Sequence, residues 1–286
     1  MRHSRLAAWG PLLVVAAVAM AIYLPLVVVA NYPLAARTLA RGATLPCDSA
    51  LACTFFLRNP VLPAPNQLLG GILALSWPPG APYALPLNAW WTAIETVVGL
   101  SLAATVGFLF AVLLVLSRAF QLSVLPWIVA SQTVPIVALA PMLVVLLGRY
   151  GVQGWLPKAI IAAYIAFFPI TIGLAKGLQS PDRLALDLMK TWNATTFQVF
   201  MRLRIPASLP FLFTALKVST AAALIGAIVG EMSTISFAGL GKMLSENARA
   251  SDVVGTWVLM LACALLGILL IAVVDLVERL VTPWRR

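Results

Sequence analysis

The chain has 286 residues, 62% of them hydrophobic and 10% charged, with a formal net charge of +10 and a mean hydropathy of +1.00. A soluble domain is about one-quarter charged, so this composition excludes one. Apolar runs of about 20 continuous residues point to membrane-spanning α-helices and exclude a β-barrel, and basic residues that flank these runs without aromatic interleaving give no reason to invoke nucleic acid.

Apolar run length places six spans, at roughly 8–30, 90–116, 122–147, 158–178, 208–230 and 255–277. The first follows Arg2, His3 and Arg5. Its apolar core exceeds the ~7–15 residues of a signal peptide, so it reads as a retained signal-anchor helix. His3 is the one histidine, which leaves no His-based proton relay. The segment from 31 to 88 is the only long hydrophilic one and is rich in Pro and Gly. It holds Cys47 and Cys53 in CDSALAC. In an oxidising compartment these close a small disulfide loop; otherwise they are two thiols. No His or further Cys lies nearby, so metal binding is not expected. Cys263, in the last span, reads as a small apolar filler.

Ionisable residues within spans are functional candidates. Glu95 lies about one turn into the second span and reads as interfacial, with a transport role as the alternative. In the third span Gln132 and Thr133 stand beside Pro135 and Pro141. Proline frees backbone carbonyls that can line a cavity, so Gln132, Thr133 and Pro135 are taken to face a translocation pathway. In the fifth span Ala222, Gly226 and Gly230 recur every four residues, a small-residue stripe for close packing, either within one subunit or across a two-fold interface. Lys217 either snorkels or pairs near a helix end, or takes part in transport. Glu231 ends this span as a gate or ion-pair partner, or as an ordinary interfacial anion.

Between the fourth and fifth spans lies a polar, partly basic island, Ser180–Pro210. Ser180 reads as an N-cap, Pro181 as a first helical residue and Asp182 as an anion at the positive helix end. A helix then runs to Trp192 and stops at Asn193, which tolerates the left-handed conformation. Thr195 or Thr196 caps a second helix to Arg204, and Pro206 and Pro210 open the next span.

Charge bias sets the orientation. With the N-terminus inside, inner segments hold Arg2, Arg5, Arg118, Lys176, Arg183, Lys190, Arg202, Arg204, Arg279, Arg285 and Arg286. Outer segments hold Arg37, Arg41, Arg58, Arg149, Lys158, Lys242 and Arg249. The excess puts both termini and the island in the cytoplasm. No GxxxxGK[ST] phosphate loop, HExxH or Gly-x-Ser-x-Gly occurs, so the chain reads as non-catalytic. A stand-alone secondary transporter, the main alternative, would show internal repeats or paired broken helices; a channel is a weaker one.

The island resembles the cytoplasmic loop of ABC importer permeases. That signature is Glu-Ala-Ala, three residues, Gly, nine residues, Ile, one residue, Leu-Pro. Here Asp187-Leu188-Met189, Asn193, Leu203 and Ile205-Pro206 stand at the same spacing with changed identities. The resemblance continues through Ala215-Leu216-Lys217, Gly230-Glu231-Met232, Gly239-Leu240-Gly241, VPIVALAPMLVVLLG at 134–148 and FFPITIGLAKGL at 167–178. It covers about residues 88–280 and looks like the branch importing nitrate, taurine, alkanesulfonates, riboflavin and pyrimidine precursors.

The resemblance implies an all-α membrane protein of six transmembrane helices with the type I ABC importer permease fold, its permease core at 89–280 with a coupling loop at 180–206. The N-terminal helix (1–30), the extracytoplasmic segment (31–88) and the cytoplasmic tail (281–286) are read from run length and charge and carry no such signature. The resemblance also implies that Asp187, Leu188, Met189, Lys190, Asn193, Ala194, Thr195, Arg202 and Pro206 contact a cytosolic ATPase dimer. ATP and Mg would be bound by that ATPase and no cofactor by this chain. The other implied partners are an extracytoplasmic binding protein, a second permease copy and lipid of a bacterial inner membrane. The cargo class implied is a small anion, sulfonate or heteroaromatic vitamin precursor.

Overall fold

The computed structural model describes residues 3–42, 46–233 and 238–283. Arg2, Arg285 and Arg286 of the charge count lie outside them. The described residues form helices and no strand: α1 His3–Ala40, α2 Ala50–Cys53, α3 Pro65–Ser76, α4 Leu85–Leu116, α5 Arg118–Ser131, α6 Ile136–Arg149, α7 Leu156–Leu178, α8 Arg183–Thr191, α9 Thr196–Val199, α10 Ile205–Met232, α11 Leu240–Arg249 and α12 Val253–Val281. They divide into two compact units, one of residues 1–79 and 244–261, the other of 80–243 and 262–286.

In the second unit, α7 is the central helix. Thirteen of its residues are buried, from Pro157 to Leu178. Small residues let its neighbours approach. A Cβ added at Gly99 of α4 would lie 2.6 Å from the Ala162 Cβ, and one at Gly107 would lie 3.0 Å from the Ile170 Cγ2. These pairings advance together along both helices, so α4 and α7 run parallel. Against α10 the order reverses: Gly230 meets Lys158, Gly226 meets Ala162, Gly173 meets Ala215 and Gly177 meets Phe211. α7 and α10 are therefore antiparallel, as a short connecting loop at one membrane face requires.

Among the described residues, five helices are long and apolar enough to cross a membrane. The third expected span is not a straight helix. α5 and α6 meet at 99° across a break of four residues. Pro135 supplies no N–H, and its ring disfavours helical backbone at Val134, so the helix stops there. The parallel order of α4 and α7 decides what this bent pair does. Two parallel spanning helices need a return crossing between them, and α5–α6 is the only chain available. Counted as one span, the bent pair brings the total among the described residues to six.

Other boundaries also move. The fifth span is not preceded by a separate loop helix: α9, a π-helical turn over Phe200–Arg204 and α10 form one continuous rod from Thr196 to Met232. Pro206 is the second residue of α10, directly after the π-helical turn. α1 runs ten residues past the expected end at 30 despite Pro11, Pro25 and Pro33.

The reason lies in the first unit. Asn31 is fully buried. Its Nδ2 donates to the carbonyls of Thr54 (3.2 Å) and Leu62 (2.8 Å), and its Oδ1 accepts from the N–H groups of Val61 (2.8 Å) and Leu62 (3.2 Å). Asn31 is thus the peg on which the returning loop hangs. Ala35, Cys53 and Leu57 form a small core beside it.

Cys47 and Cys53 are joined by a disulfide with Cα atoms 5.4 Å apart. Closing so short a loop contributes about 2 kcal/mol on the chain-entropy estimate. Cys47→Ser should therefore loosen residues 46–57 without preventing membrane assembly. Mass spectrometry of unreduced, alkylated wild-type protein should find the two peptides linked; alkylation of both thiols without reductant would remove this bridge.

Candidate functional site

Polar side chains come together at several places. The first is the island. Its cap is Asp182, whose side chain accepts from the Ala185 N–H at 2.8 Å. Ser180 instead donates back to the Gly177 carbonyl at 2.7 Å, ending α7, so the expected N-cap is displaced by two residues. α8 ends as the stop signal dictates. Asn193 has φ 53°. Its N–H donates to the Lys190 carbonyl (2.8 Å) and that of Ala194 to the Met189 carbonyl (3.0 Å), the paired bonds of a Schellman stop. Thr195 and Gln198 then form a reciprocal capping box that starts α9.

The island's polar frame leaves apolar side chains outside. Leu184, Leu188 and Trp192 are 78%, 53% and 73% exposed and recur at four-residue spacing, so they form one stripe. Phe197 is also exposed. Asp187 and Lys190 pair on the surface at 2.8 Å; such a pair orients more than it stabilises. Arg202 and Pro206 are exposed, and Met189 and Ala194 are half-buried. Behind α8 lies a groove of ≈ 440 Å³ lined by Leu116, Leu186, Lys190, Phe200 and Arg204. Arg204 ties the rod to α7 by donating to the Leu178 carbonyl at 3.0 Å.

The second place is a buried polar cluster where α4, α7 and α10 meet. Glu95, Lys158, Glu231 and Thr92 are all fully buried. Lys158 Nζ lies 3.0 Å from Glu95 Oε1 and donates to the Ala238 carbonyl at 3.1 Å. Glu231 accepts from the Thr92 hydroxyl and from the Gly241 N–H, each at 2.6 Å. Charge counting sets Lys158 in an outer segment and Glu95 reads as interfacial; the structure buries both side chains between helices. Glu231 is a partner in a network rather than an ordinary interfacial anion. One sequence signal does point here. In an alternating six-span topology Glu95 begins one span, Lys158 begins a second running the same way, and Glu231 ends the antiparallel one. All three therefore fall at one membrane depth.

The remaining candidates scatter. Gln132, Thr133 and Pro135 sit at the α5–α6 bend rather than mid-span, with Thr133 and Pro135 exposed. Tyr164 of α7 donates to the Ser131 carbonyl beside them. Gly226 and Gly230 lie against α7 of the same chain, while Ala222 is half-buried. Lys217 pairs with Asp275 (2.6 Å) and Glu278 (2.5 Å) of α12, and Asp275 also pairs with Arg279 (2.8 Å). This ladder joins α10 to α12 and answers the question of Lys217 in favour of pairing.

Known proteins share this architecture. Residues 65–286 match the family described as the binding-protein-dependent transport system inner membrane component. The chain belongs to this family. It is 35% identical over 189 residues to the formylaminopyrimidine transport permease protein ThiX of Halalkalibacterium halodurans, covering 66% of this chain and 74% of that protein. It is 29% identical over 167 residues to the riboflavin transport system permease protein RibX of Chloroflexus aurantiacus, covering 58% and 60%. It is 25% identical over 228 residues to the nitrate import permease protein NrtB of Synechocystis, covering 78% and 81%. A chain of the inward-facing MetNI methionine ABC transporter shares the fold, with a TM-score of 0.59 at 19% identity over 68% of this chain and 94% of that one.

The chain is thus a multi-pass permease of an ABC importer, of the branch that the island resembles. Membership makes it a transport component that works with an ATP-hydrolysing subunit and a substrate-binding protein.

Proposed function

We propose that this permease receives the stroke of its ATPase through α8 and the capped turn that follows it. The observation that carries this reading is the exposed Leu184–Leu188–Trp192 stripe on a helix fixed at both ends. Apolar side chains at that density on a polar loop favour a protein groove over water. Asp187, Lys190 and Arg202 orient the docked surface, and Asn193, Ala194 and Thr195 make the turn that keeps the helix from sliding. The island and both termini then face the cytoplasm of a bacterial cell. ATP and Mg are held by the partner. Two permease copies enclose the pathway within the lipid of the inner membrane.

For cargo, the relatives at 35% and 29% identity are named for formylaminopyrimidine and riboflavin. A small heteroaromatic solute is therefore the substrate class this reading favours over nitrate or a sulfonate.

The test is coupled ATP hydrolysis by the complex in lipid discs. Proline cannot adopt φ 53° and has no N–H for the Lys190 carbonyl, so Asn193→Pro destroys the stop. Asp187→Lys reverses the orienting charge. Each should lower transport-coupled hydrolysis by about tenfold or more, the loss of one interface hot spot, with the permease still in the membrane. Normal coupled rates in both variants would refute the docking role.

A further inference from the structure

The segment between α1 and α4 reads as hydrophilic, yet no charged residue stands between Arg58 and Glu95. Two contacts fix how deep part of it lies. The first is on α1, where the Tyr23 hydroxyl donates to the Pro63 carbonyl at 2.6 Å. Residues 6–36 of α1 are uncharged. A crossing takes about 20 residues, and every such window within 6–36 includes 17–25, so Tyr23 lies in the hydrocarbon wherever α1 is placed. Helical side chains lean toward the N-terminus, so its hydroxyl points further in rather than out. The second contact is on α12. A Cβ added at Gly71 of α3 would lie 3.0 Å from the Val258 Cγ2 and 3.1 Å from the Val254 Cγ1. The charge-free run of α12, 253–274, is barely longer than one crossing, so Val258 lies in the hydrocarbon as well. Tyr23, Pro63, Gly71, Val254 and Val258 all belong to the first compact unit.

Backbone at that depth finds no water, and irregular backbone is tolerated there only where protein covers and satisfies it. Residues 60–65 meet this condition donor by donor. Pro60, Pro63 and Pro65 have no N–H. The N–H groups of Val61 and Leu62 donate to Asn31 Oδ1, and that of Ala64 donates to Gln67 Oε1 at 2.7 Å. Pro60, Pro63 and Ala64 are buried. A loop in water needs none of this, because water would take each donor.

α3 turns different faces to different neighbours. Gly71 meets α12, and Leu68 and Leu75 on the same side are half-buried. Leu69, Ile72 and Leu73 share another face and are 65%, 37% and 72% exposed. Trp77, exposed just after the helix, suits the headgroup level where indoles collect. We propose that residues 60–77 are a re-entrant membrane element. The chain dips beside α1 to the level of Tyr23, and α3 lies in that leaflet with Leu69, Ile72 and Leu73 against lipid acyl chains. The partner is lipid because both depth contacts set this face within hydrocarbon and no charge on the segment opposes it.

Leu69→Cys, Leu73→Cys and Arg58→Cys are made in a Cys263→Ala background, which keeps the Cys47–Cys53 disulfide. Arg58 is exposed and charged, and serves as the aqueous reference. Each variant is labelled with bimane and reconstituted as the importer in phosphatidylcholine vesicles. Replacing that lipid by one brominated on its acyl chains should quench positions 69 and 73 several-fold more than position 58. Iodide on both sides of the membrane should give the reverse order. Bromine occupies both leaflets, so the result does not depend on which face is cytoplasmic. Iodide quenching at 69 and 73 equal to that at 58, with no loss in brominated lipid, would make the segment an aqueous loop and overturn the inference. Protection from both quenchers would put protein on this face, a second copy included, and overturn it too. Two exposed positions are labelled so that misfolding of one variant leaves the other to decide.

Discussion

Lys158→Met should destabilise the permease by ~3–5 kcal/mol, the cost of stripping a buried charge of its partner. Lys158 and Glu95 are both fully buried, 3.0 Å apart. Methionine matches the lysine stem in length and fills the same space, so the loss is electrostatic. It leaves the Glu95 carboxylate in an apolar interior beside Glu231 and frees the Ala238 carbonyl. The double variant Glu95→Gln/Lys158→Met removes both charges and should recover much of the loss, because a buried pair contributes little net stability over a neutral pair of similar shape. Apparent unfolding temperatures in detergent, read as a double-mutant cycle, give the coupling. A Lys158→Met protein that unfolds at the wild-type temperature would show that Glu95 carries no charge needing compensation.

What the sequence reveals and what it hides divide along local and long-range lines. α7 falls within two residues of its expected start and on its expected end, because a continuous apolar run is a local property. The stop at Asn193 is equally local, since one residue's tolerance of left-handed backbone sets it. Most of the missed features depend on partners far along the chain. Asn31-Tyr32-Pro33 reads as the start of a loop, yet Asn31 stays helical because its amide is claimed by residues 54–62. Glu95, Lys158 and Glu231 each look interfacial alone, and only their coincidence in depth betrays a shared site. The proline signal of the third span is legible, but the size of the break is not: Pro135 reads as lining a pathway, and in the fold it stands where two arms meet at 99°. The Gly-Leu-Gly motif had no physical account until the structure set the Glu231 carboxylate against both glycines.

The glycine stripe of α10 shows the same division at the scale of one methyl group. Its spacing predicts close packing but not the partner. The structure supplies α7: a Cβ at Gly226 would stand 2.8 Å from the Ala162 Cα and 3.1 Å from the Ile161 carbonyl oxygen. Both are backbone atoms, which cannot rotate aside. Gly99 grips the other flank of α7, with its added Cβ 2.6 Å from the Ala159 carbonyl oxygen. Gly226→Ala must therefore push α10 and α7 apart along a contact where small residues face each other, at a cost of roughly 1–3 kcal/mol. Gly148→Ala, where no atom lies within 4 Å of the new methyl, is the control. It should be neutral or slightly stabilising, since alanine is the better helix former by up to ~1 kcal/mol. Unfolding temperatures of both variants in detergent decide the matter. If Gly226→Ala unfolds with the wild type while weakening association between permease copies, the stripe faces a second subunit instead of α7, and the three-helix core described above is wrong at its centre.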